Sequence, residues 1–375
     1  MIYFDNAATT YPKPMAVIRA AERALLDYGA NPGRSGHRLS AKTSAMVYKA
    51  REKCASFFGG EAENTVFTLN CTHALNFAIK GAVEMTGRCH IITTDLEHNS
   101  VIRPIHSLYK KGKITYSIAD SGSSDSELTA AIEKLIRRDT KIIVMTAGCN
   151  VDGRITPLDS IAALCRRRNI CLIADCAQAA GVIPISLKDG INIICAPGHK
   201  GLYGPMGTGV LVTDGNFPLT SLIEGGTGSN SLDIAQPQFL PDMLEGGTIN
   251  TPGAIALGKG VDFVNSKGIN KLHDYEMMLC DIFTDRLKNN ENVRIYRKDN
   301  LSYLPVVAFN IKGIGASEFA EKLSEAGFYL RGGFHCNFLA HKKQGTQDSG
   351  CVRFAPSVFN TRADVVKLYD FINRL

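Results

Sequence analysis

Between positions 65 and 213 the chain repeats one pattern, a short β-branched apolar run followed by a stretch with helical apolar spacing. Runs of this kind bury both faces, and parallel strands joined by helical crossovers are the arrangement that achieves it. The runs cover 65–69, 90–93, 114–118, 141–146, 170–174, 191–195 and 209–213. They predict an α/β fold with a mostly parallel seven-stranded sheet covered by helices on both faces. Sites in such sheets gather at the carboxyl ends of the strands, so the residues closing each run are the ones to read for chemistry.

The sixth and seventh runs flank a glycine-dense turn, Pro197-Gly198-His199-Lys200-Gly201, with one lysine in it. A lysine at a strand end facing a cleft is desolvated, which disfavours its ammonium and frees the amine as a nucleophile. A solvated loop lysine has the same local sequence, so the upstream context decides. Asp175 closes the preceding run 25 residues earlier, roughly one strand-plus-crossover unit, and both side chains then emerge at one sheet edge. An aspartate beside a pyridine nitrogen keeps it protonated and makes the ring an electron sink, while a lysine forms an imine with an aldehyde. The pair points to pyridoxal 5'-phosphate, although a strand-ending Asp is also a common helix N-cap.

Other strand ends add polar groups. Cys71-Thr72 opens a helix after the first run, where free amides and the Thr72 hydroxyl can hold a phosphate or where Thr72 merely caps. His98 follows the second run and either stacks on an aromatic cofactor or caps the next helix. Asn150, after the fourth, either donates to a phenolate oxygen or forms a turn. Gln178 lies three residues beyond Asp175. The loop at 30–37, ending in His37, is polar enough to line a site and equally suited to be a connector.

The 375 residues, 45% of them hydrophobic, suffice for a large domain and a smaller one. We expect the large α/β domain at 15–250, and a smaller α+β domain formed by 1–14 and 251–375. In the latter, strands are expected at 293–296, 306–311, 329–331 and 351–354, helices at 316–326 and 361–373, and a loop from about 337 to 350. A long helical stretch at 254–287 should break near Gly268. A net charge of +6 is modest, and the clusters Arg137-Arg138 and Arg166-Arg167-Arg168 fall at helix carboxyl ends, so no nucleic-acid partner is expected. No apolar run approaches membrane-spanning length, and no leader is evident, so a cytoplasmic location is expected.

Eleven cysteines occur without any C-x-x-C pair, which fits buried thiols in a reducing compartment better than disulfides or a structural zinc site. Cys336 differs, since it lies in Arg331-Gly332-Gly333-Phe334-His335-Cys336, a polar, cationic setting in which a thiolate nucleophile is favoured. Arg353 either offers a fork to a substrate carboxylate or makes a surface ion pair.

Taken together, YFDNAATT, ANPGRSGHRLS, CTHALN, LEHNSV, ADCAQAAG, PGHKGLYGPMGTG, EGGTINTPG, RGGFHC and VRFAPSVFNT resemble the aminotransferase class V family. Within it the similarity is to the cysteine desulfurase and selenocysteine lyase branch, whose second group has an RxGxHC motif. The resemblance implies the fold type I of pyridoxal-phosphate-dependent transferases and a homodimer with sites at the interface. It implies Lys200 as Schiff-base lysine, Asp175 as partner of the pyridine nitrogen, His98 over the ring, and Gln178 and Asn150 near the phenolic oxygen. Thr72 and His199 would hold the phosphate, Cys71 would also bind the cofactor, and Thr248 would reach the phosphate of the other subunit. Arg353, Asn150 and His37 would meet the substrate, and Cys336 would accept its sulfur. Three departures touch the phosphate cup: Pro197 stands where this group usually has a serine, Gly201 is an extra glycine, and Asn70-Cys71-Thr72-His73 replaces a GTTE-like start.

The activity so implied is desulfuration of L-cysteine to L-alanine with a persulfide on Cys336, for delivery to a sulfur-acceptor protein or iron-sulfur assembly. Alternatives are L-selenocysteine cleavage, another class V reaction such as transamination or epimerisation, and a binding protein that retains the fold without catalysis.

Overall fold

The computed structural model describes residues 1–33 and 36–374. Arg34 and Ser35, in the loop expected to line a site, fall outside the described residues. The elements in chain order are β1 (Ile2–Tyr3), α1 (Met15–Asp27), α2 (Arg38–Phe57), β2 (Thr65–Thr68), α3 (Cys71–Thr86), β3 (Cys89–Thr94), α4 (Asn99–Lys110), β4 (Ile114–Ala119), α5 (Asp125–Leu135), β5 (Thr140–Thr146), α6 (Leu158–Arg168), β6 (Cys171–Asp175), β7 (Ile193–Pro197) and β8 (Gly209–Thr213). There follow α7 (Thr251–Lys267), α8 (Ile269–Leu287), β9 (Val293–Ile295), β10 (Val307–Ile311), α9 (Ala316–Glu325), β11 (Phe328–Tyr329), β12 (Arg331–Gly333), α10 (Phe338–Gln344), β13 (Cys351–Phe354) and α11 (Arg362–Ile372).

All seven expected runs join one sheet in the order β2-β8-β7-β6-β5-β3-β4. Pairing is parallel from β7 through β6, β5 and β3 to β4, while β8 runs antiparallel to both its neighbours. Successive strand residues serve opposite faces. Ile143, Leu172 and Ile194 pack into one core with α2, α6 and α7, whereas Ile142, Ile173 and Ile193 pack into another with α3 and α4. This two-sided burial is why the runs read as continuous apolar segments rather than as alternating ones.

Helix ends follow local chemistry. Ser124 accepts from the Glu127 amide to start α5, and the three arginines at 166–168 lie in the last turn of α6, as expected for cations at a helix carboxyl end. The long helical stretch does break at Gly268, whose φ of 84° turns the chain between α7 and α8.

A second sheet, β12-β13-β10-β9, and a parallel β1-β11 pair build the carboxyl-terminal layer. Its core holds Phe4, Phe309, Phe283 and Phe354, the last two stacked at 4.2 Å between ring centroids. The structure departs from the sequence reading in three places here. The run at 329–331 divides into β11 and β12, because the chain leaves β1 and joins β13 on either side of Leu330. The expected loop after Cys336 contains α10, capped by Asn337 and closed by Gly345, which its polar, lysine-rich sequence disguised. Helix α7, assigned by sequence to the smaller domain, packs against α1 and α2 and gives Ala254, Leu257 and Val261 to the large core.

Gly181 has a φ of 80°, and a Cβ there would overlap the Gly201 carbonyl beside Lys200. Gly87, with φ of 72°, has open space around it. Denaturant unfolding should therefore show Gly181→Ala costing at least about 2 kcal/mol and Gly87→Ala about 1 kcal/mol, from backbone strain alone. Equal costs would mean that the close approach of residue 181 to the lysine turn contributes nothing.

Candidate active site

The carboxyl ends of β5, β6 and β7 open into a cleft of about 230 Å³ whose wall includes Lys200, Asp175, His98, Gln178, Asn150 and Arg353. Sheet register sets the central pair. Asp175 is the last residue of β6 and lies opposite Cys195 of β7, so the turn leaving β7 returns Lys200 to the same edge. Burial of the Lys200 amine, helped by the Arg353 charge, lowers its pKa to about 8, while Asp175 opposes the shift. An amine in this state is largely protonated at neutral pH yet keeps a useful free fraction.

Asp175 is 2% exposed, and its Oδ1 accepts from the Ala177 amide at 2.9 Å and from Cys71 Sγ at 3.5 Å. Burial raises the Cys71 thiol well above its usual pKa, so it acts as a neutral S–H donor. His98 does both things its sequence allowed. It caps α4, its Nδ1 accepting from the Ser100 amide at 3.1 Å, and its ring faces the cleft, with its pKa lowered by burial. Because Nδ1 accepts, the neutral ring carries its proton on Nε2.

The cleft wall also includes Cys71, Thr72, Pro197 and His199. Asn70 caps α3 through the His73 amide at 2.9 Å, which places the positive end of the helix at the wall. Thr72 Oγ1 is 2.7 Å from Ser100 Oγ, and that hydroxyl lies 2.9 Å from His98 Nδ1. Burial lowers the His199 pKa to about 4, so its imidazole is neutral. Ser100 was not singled out by sequence; its position two residues after His98 was the available signal.

The amino-terminal segment, read by sequence only as a motif, latches the lysine turn. The His199 carbonyl accepts from the Thr10 amide at 3.1 Å, Thr9 Oγ1 at 3.1 Å and Lys13 Nζ at 2.7 Å. Thr10 Oγ1 also donates to the Lys200 carbonyl at 3.1 Å. Arg353 proves to be 1% exposed, with Nη2 bound to Asp5 Oδ1 at 2.9 Å and Nη1 to the Asn150 carbonyl at 2.8 Å. Its ion pair is thus interior rather than on the surface, and Nε is left without a partner among the described residues.

Cys336 does not line the cleft, but its neighbours Arg331 and His335 do. It is the exposed member of the eleven cysteines, and Arg331 Nη2 lies 3.8 Å from its sulfur. His335 and Cys336 both adopt left-handed backbone, φ 48° and 58°, each costing about 1–2 kcal/mol. Hydrogen bonds on both carbonyls hold them there: Asn150 Nδ2 to His335 O at 2.6 Å and the Asn99 amide to Cys336 O at 2.9 Å. Asn150 therefore anchors the cysteine loop from the cleft wall, a role its sequence position did not show. His37 and Thr248 stand apart from this chain's cleft. His37 is exposed and caps α2 through the Ser40 amide, and Thr248 meets Asn31 Nδ2 at 3.4 Å in a separate hollow beside Arg51 and Glu245.

Removing the carboxylate from the Asp5–Arg353 pair leaves an interior guanidinium without its counter-charge. Asp5→Asn should cost about 3 kcal/mol of stability by denaturant unfolding, and adding Arg353→Met should recover part of that loss. Strict additivity of the two substitutions would show that the pair does not interact.

The chain is 27% identical to a protein described as a probable cysteine desulfurase from Methanothermobacter thermautotrophicus, over all of this chain and 94% of that protein. It is 30% identical to another so described from Pyrococcus abyssi, over 97% of this chain and 92% of the relative. Among solved structures, the apo cysteine desulfurase of Thermococcus onnurineus NA1 superposes with a TM-score of 0.91 at 28% identity, covering all of this chain and 94% of that one. The architecture is the α/β fold type I of pyridoxal-phosphate-dependent transferases. The sequence model of aminotransferase class-V matches residues 2–368, and with the cleft just described it shows that the chain belongs to the class V aminotransferase family.

Proposed function

We propose that this protein is a pyridoxal-phosphate-dependent cysteine desulfurase, converting L-cysteine to L-alanine and retaining the sulfur on Cys336 as a persulfide. One observation carries the reading: the exposed cysteine sits on a loop whose flanking residues, Arg331 and His335, wall the cleft that holds Lys200 and Asp175. The relatives described as cysteine desulfurases support it.

The residues present fit pyridoxal phosphate. His199 Nδ1 and Arg353 Nε are buried at the cleft wall without a partner among the described residues, as expected of groups awaiting an anionic ligand. Asp175, with Cys71 behind it, would hold the pyridine nitrogen, His98 the ring face, Lys200 the aldehyde, and Thr72 and His199 the phosphate, with Gln178 and Asn150 near the phenolic oxygen. Bound there, the cofactor supplies an electron sink for negative charge at the substrate Cα.

The chain's own groups perform the rest. Lys200 Nζ takes the Cα proton, a task suited to an amine whose pKa is lowered to about 8. Arg353, through Nε, is the cation at hand for the substrate carboxylate. Cys336 Sγ attacks the substrate sulfur, so that an S–S bond forms as the substrate's carbon–sulfur bond breaks. The electron pair of the broken bond stays on carbon, which is protonated to give alanine, and no outside oxidant is required. Arg331 Nη2 puts a cation 3.8 Å from the attacking sulfur. The persulfide, being exposed, is then open to an acceptor protein.

We infer further that two copies associate. Thr248 and His37 lie outside their own chain's cleft, and Leu232 and Ile234, on the same long segment as Thr248, are fully exposed. A second copy would cover that apolar surface and bring Thr248 towards the partner's phosphate site.

Incubation with L-cysteine should add one sulfur atom to the Cys336 peptide by mass spectrometry. Cys336→Ala should lose that mass and lower alanine formation by more than about a hundredfold. Undiminished alanine formation by the variant would refute the assignment of the nucleophile. Uptake of pyridoxal phosphate by cofactor-free protein depends on unprotonated Lys200, so its rate should rise roughly tenfold per pH unit below about 8 and level off above it. A rate still climbing steeply at a pH near 10, followed by absorbance, would show that the amine is not desolvated.

A further inference from the structure

Behind the Cys336 loop, on the side of α10 and β13, three side chains with metal-ligand chemistry meet in the interior. His335 is 2% exposed, His341 0% and Cys351 0%, and one potential ligand atom from each lies within 4.8 Å of the other two. Each ring has one nitrogen engaged and one idle. His335 Nε2 is 2.9 Å from the Cys351 carbonyl and His341 Nδ1 is 2.7 Å from Thr346 Oγ1, whereas His335 Nδ1 and His341 Nε2 have no hydrogen-bond partner among the described residues. The Phe334 carbonyl lies near the His341 ring but outside hydrogen-bonding geometry.

A carbonyl only accepts, so His335 Nε2 must carry the proton and Nδ1 presents a lone pair. The Thr346 hydroxyl can accept from His341 Nδ1, which leaves a lone pair on His341 Nε2 as well. Two idle lone pairs on buried side chains are unusual, because buried polar atoms are nearly always partnered. Rings held by their second nitrogen on a backbone carbonyl or another oxygen are, in contrast, the usual arrangement of metal-bound histidines.

We propose that His335, His341 and Cys351 form a binding site for a zinc-type divalent cation, which ties α10 and β13 to the loop carrying Cys336. Two imidazoles and one thiolate are a ligand set of the right softness, and a water can complete the tetrahedron. One potential ligand atom from each side chain already lies within 4.8 Å of the other two, against roughly 3.5 Å between ligand atoms around tetrahedral zinc. On binding, the Cys351 S–H proton leaves to solvent, a sulfur–metal bond replaces it, and no redox change takes place. Its test requires neither cofactor turnover nor substrate.

The protein as purified, stripped of adventitious metal, is titrated with Co²⁺ and followed by difference absorbance, then with Zn²⁺. The expected result is a thiolate-to-cobalt charge-transfer band that saturates at one equivalent and is erased by Zn²⁺. Cys351→Ala should abolish the band, His341→Gln should weaken binding tenfold or more, and Cys336→Ala should leave the band intact. Zn²⁺ should raise the melting temperature of the parent but not of Cys351→Ala. Absence of the band in the parent, or its survival in Cys351→Ala, overturns the site. Should Cys351→Ala not fold, unchanged cobalt affinity in His341→Gln overturns it instead.

Discussion

The cleft depends on keeping one amine away from water without fully stripping its charge. Lys200 is brought to Asp175 by the register of two adjacent parallel strands, and no long-range loop is needed to do it. Desolvation and the Arg353 charge then push the amine towards its neutral form, while Asp175 restrains that shift. The balance holds only if the turn is rigid. Five hydrogen bonds from residues 9–13 to the His199 and Lys200 carbonyls supply that rigidity from the opposite end of the chain. Asp5, in the same segment, fixes Arg353 and so couples the carboxyl-terminal layer to the same turn.

The cysteine loop is built on a different principle. Its two left-handed residues are strained, and the strain persists because the large sheet's loops grip both carbonyls. Asn337 extends the grip, reaching the Leu96 carbonyl at 2.8 Å and Asn150 Oδ1 at 3.0 Å, and Lys343 of α10 pairs with Asp120. Cys336 is thereby both exposed and positioned, with an ordered helix directly behind it. Sulfur placed on such a residue is held near the cleft yet is open to solvent, which suits hand-over to a second protein.

Much of this was legible in the chain. The seven strands could be read because parallel strands buried on both faces leave continuous apolar runs, and the meeting of Asp175, His98, Asn150 and Lys200 at one cleft could be read because successive strand ends share an edge of such a sheet. What escaped was decided by contacts between distant segments. Nothing local marks Arg353 as an interior ion-pair partner of Asp5, or Asn150 as an anchor for a carbonyl 185 residues away. Helix α10 was hidden by its polarity, since a short helix with a basic last turn has the composition of a loop. Thr248 was tied to the site through the family resemblance and His37 through that and the polarity of its loop, and in a single chain both remain outside the cleft.

The central claim is that the residue-200 amine and the residue-175 carboxylate hold opposite ends of one pyridoxal ring. Borohydride reduction of the protein loaded with pyridoxal phosphate, followed by peptide mapping, tests it most directly. The account predicts a single pyridoxyl group, on Lys200, and none after Lys200→Ala. A label on Lys13 or on surface lysines, with Lys200 unmodified, would contradict it.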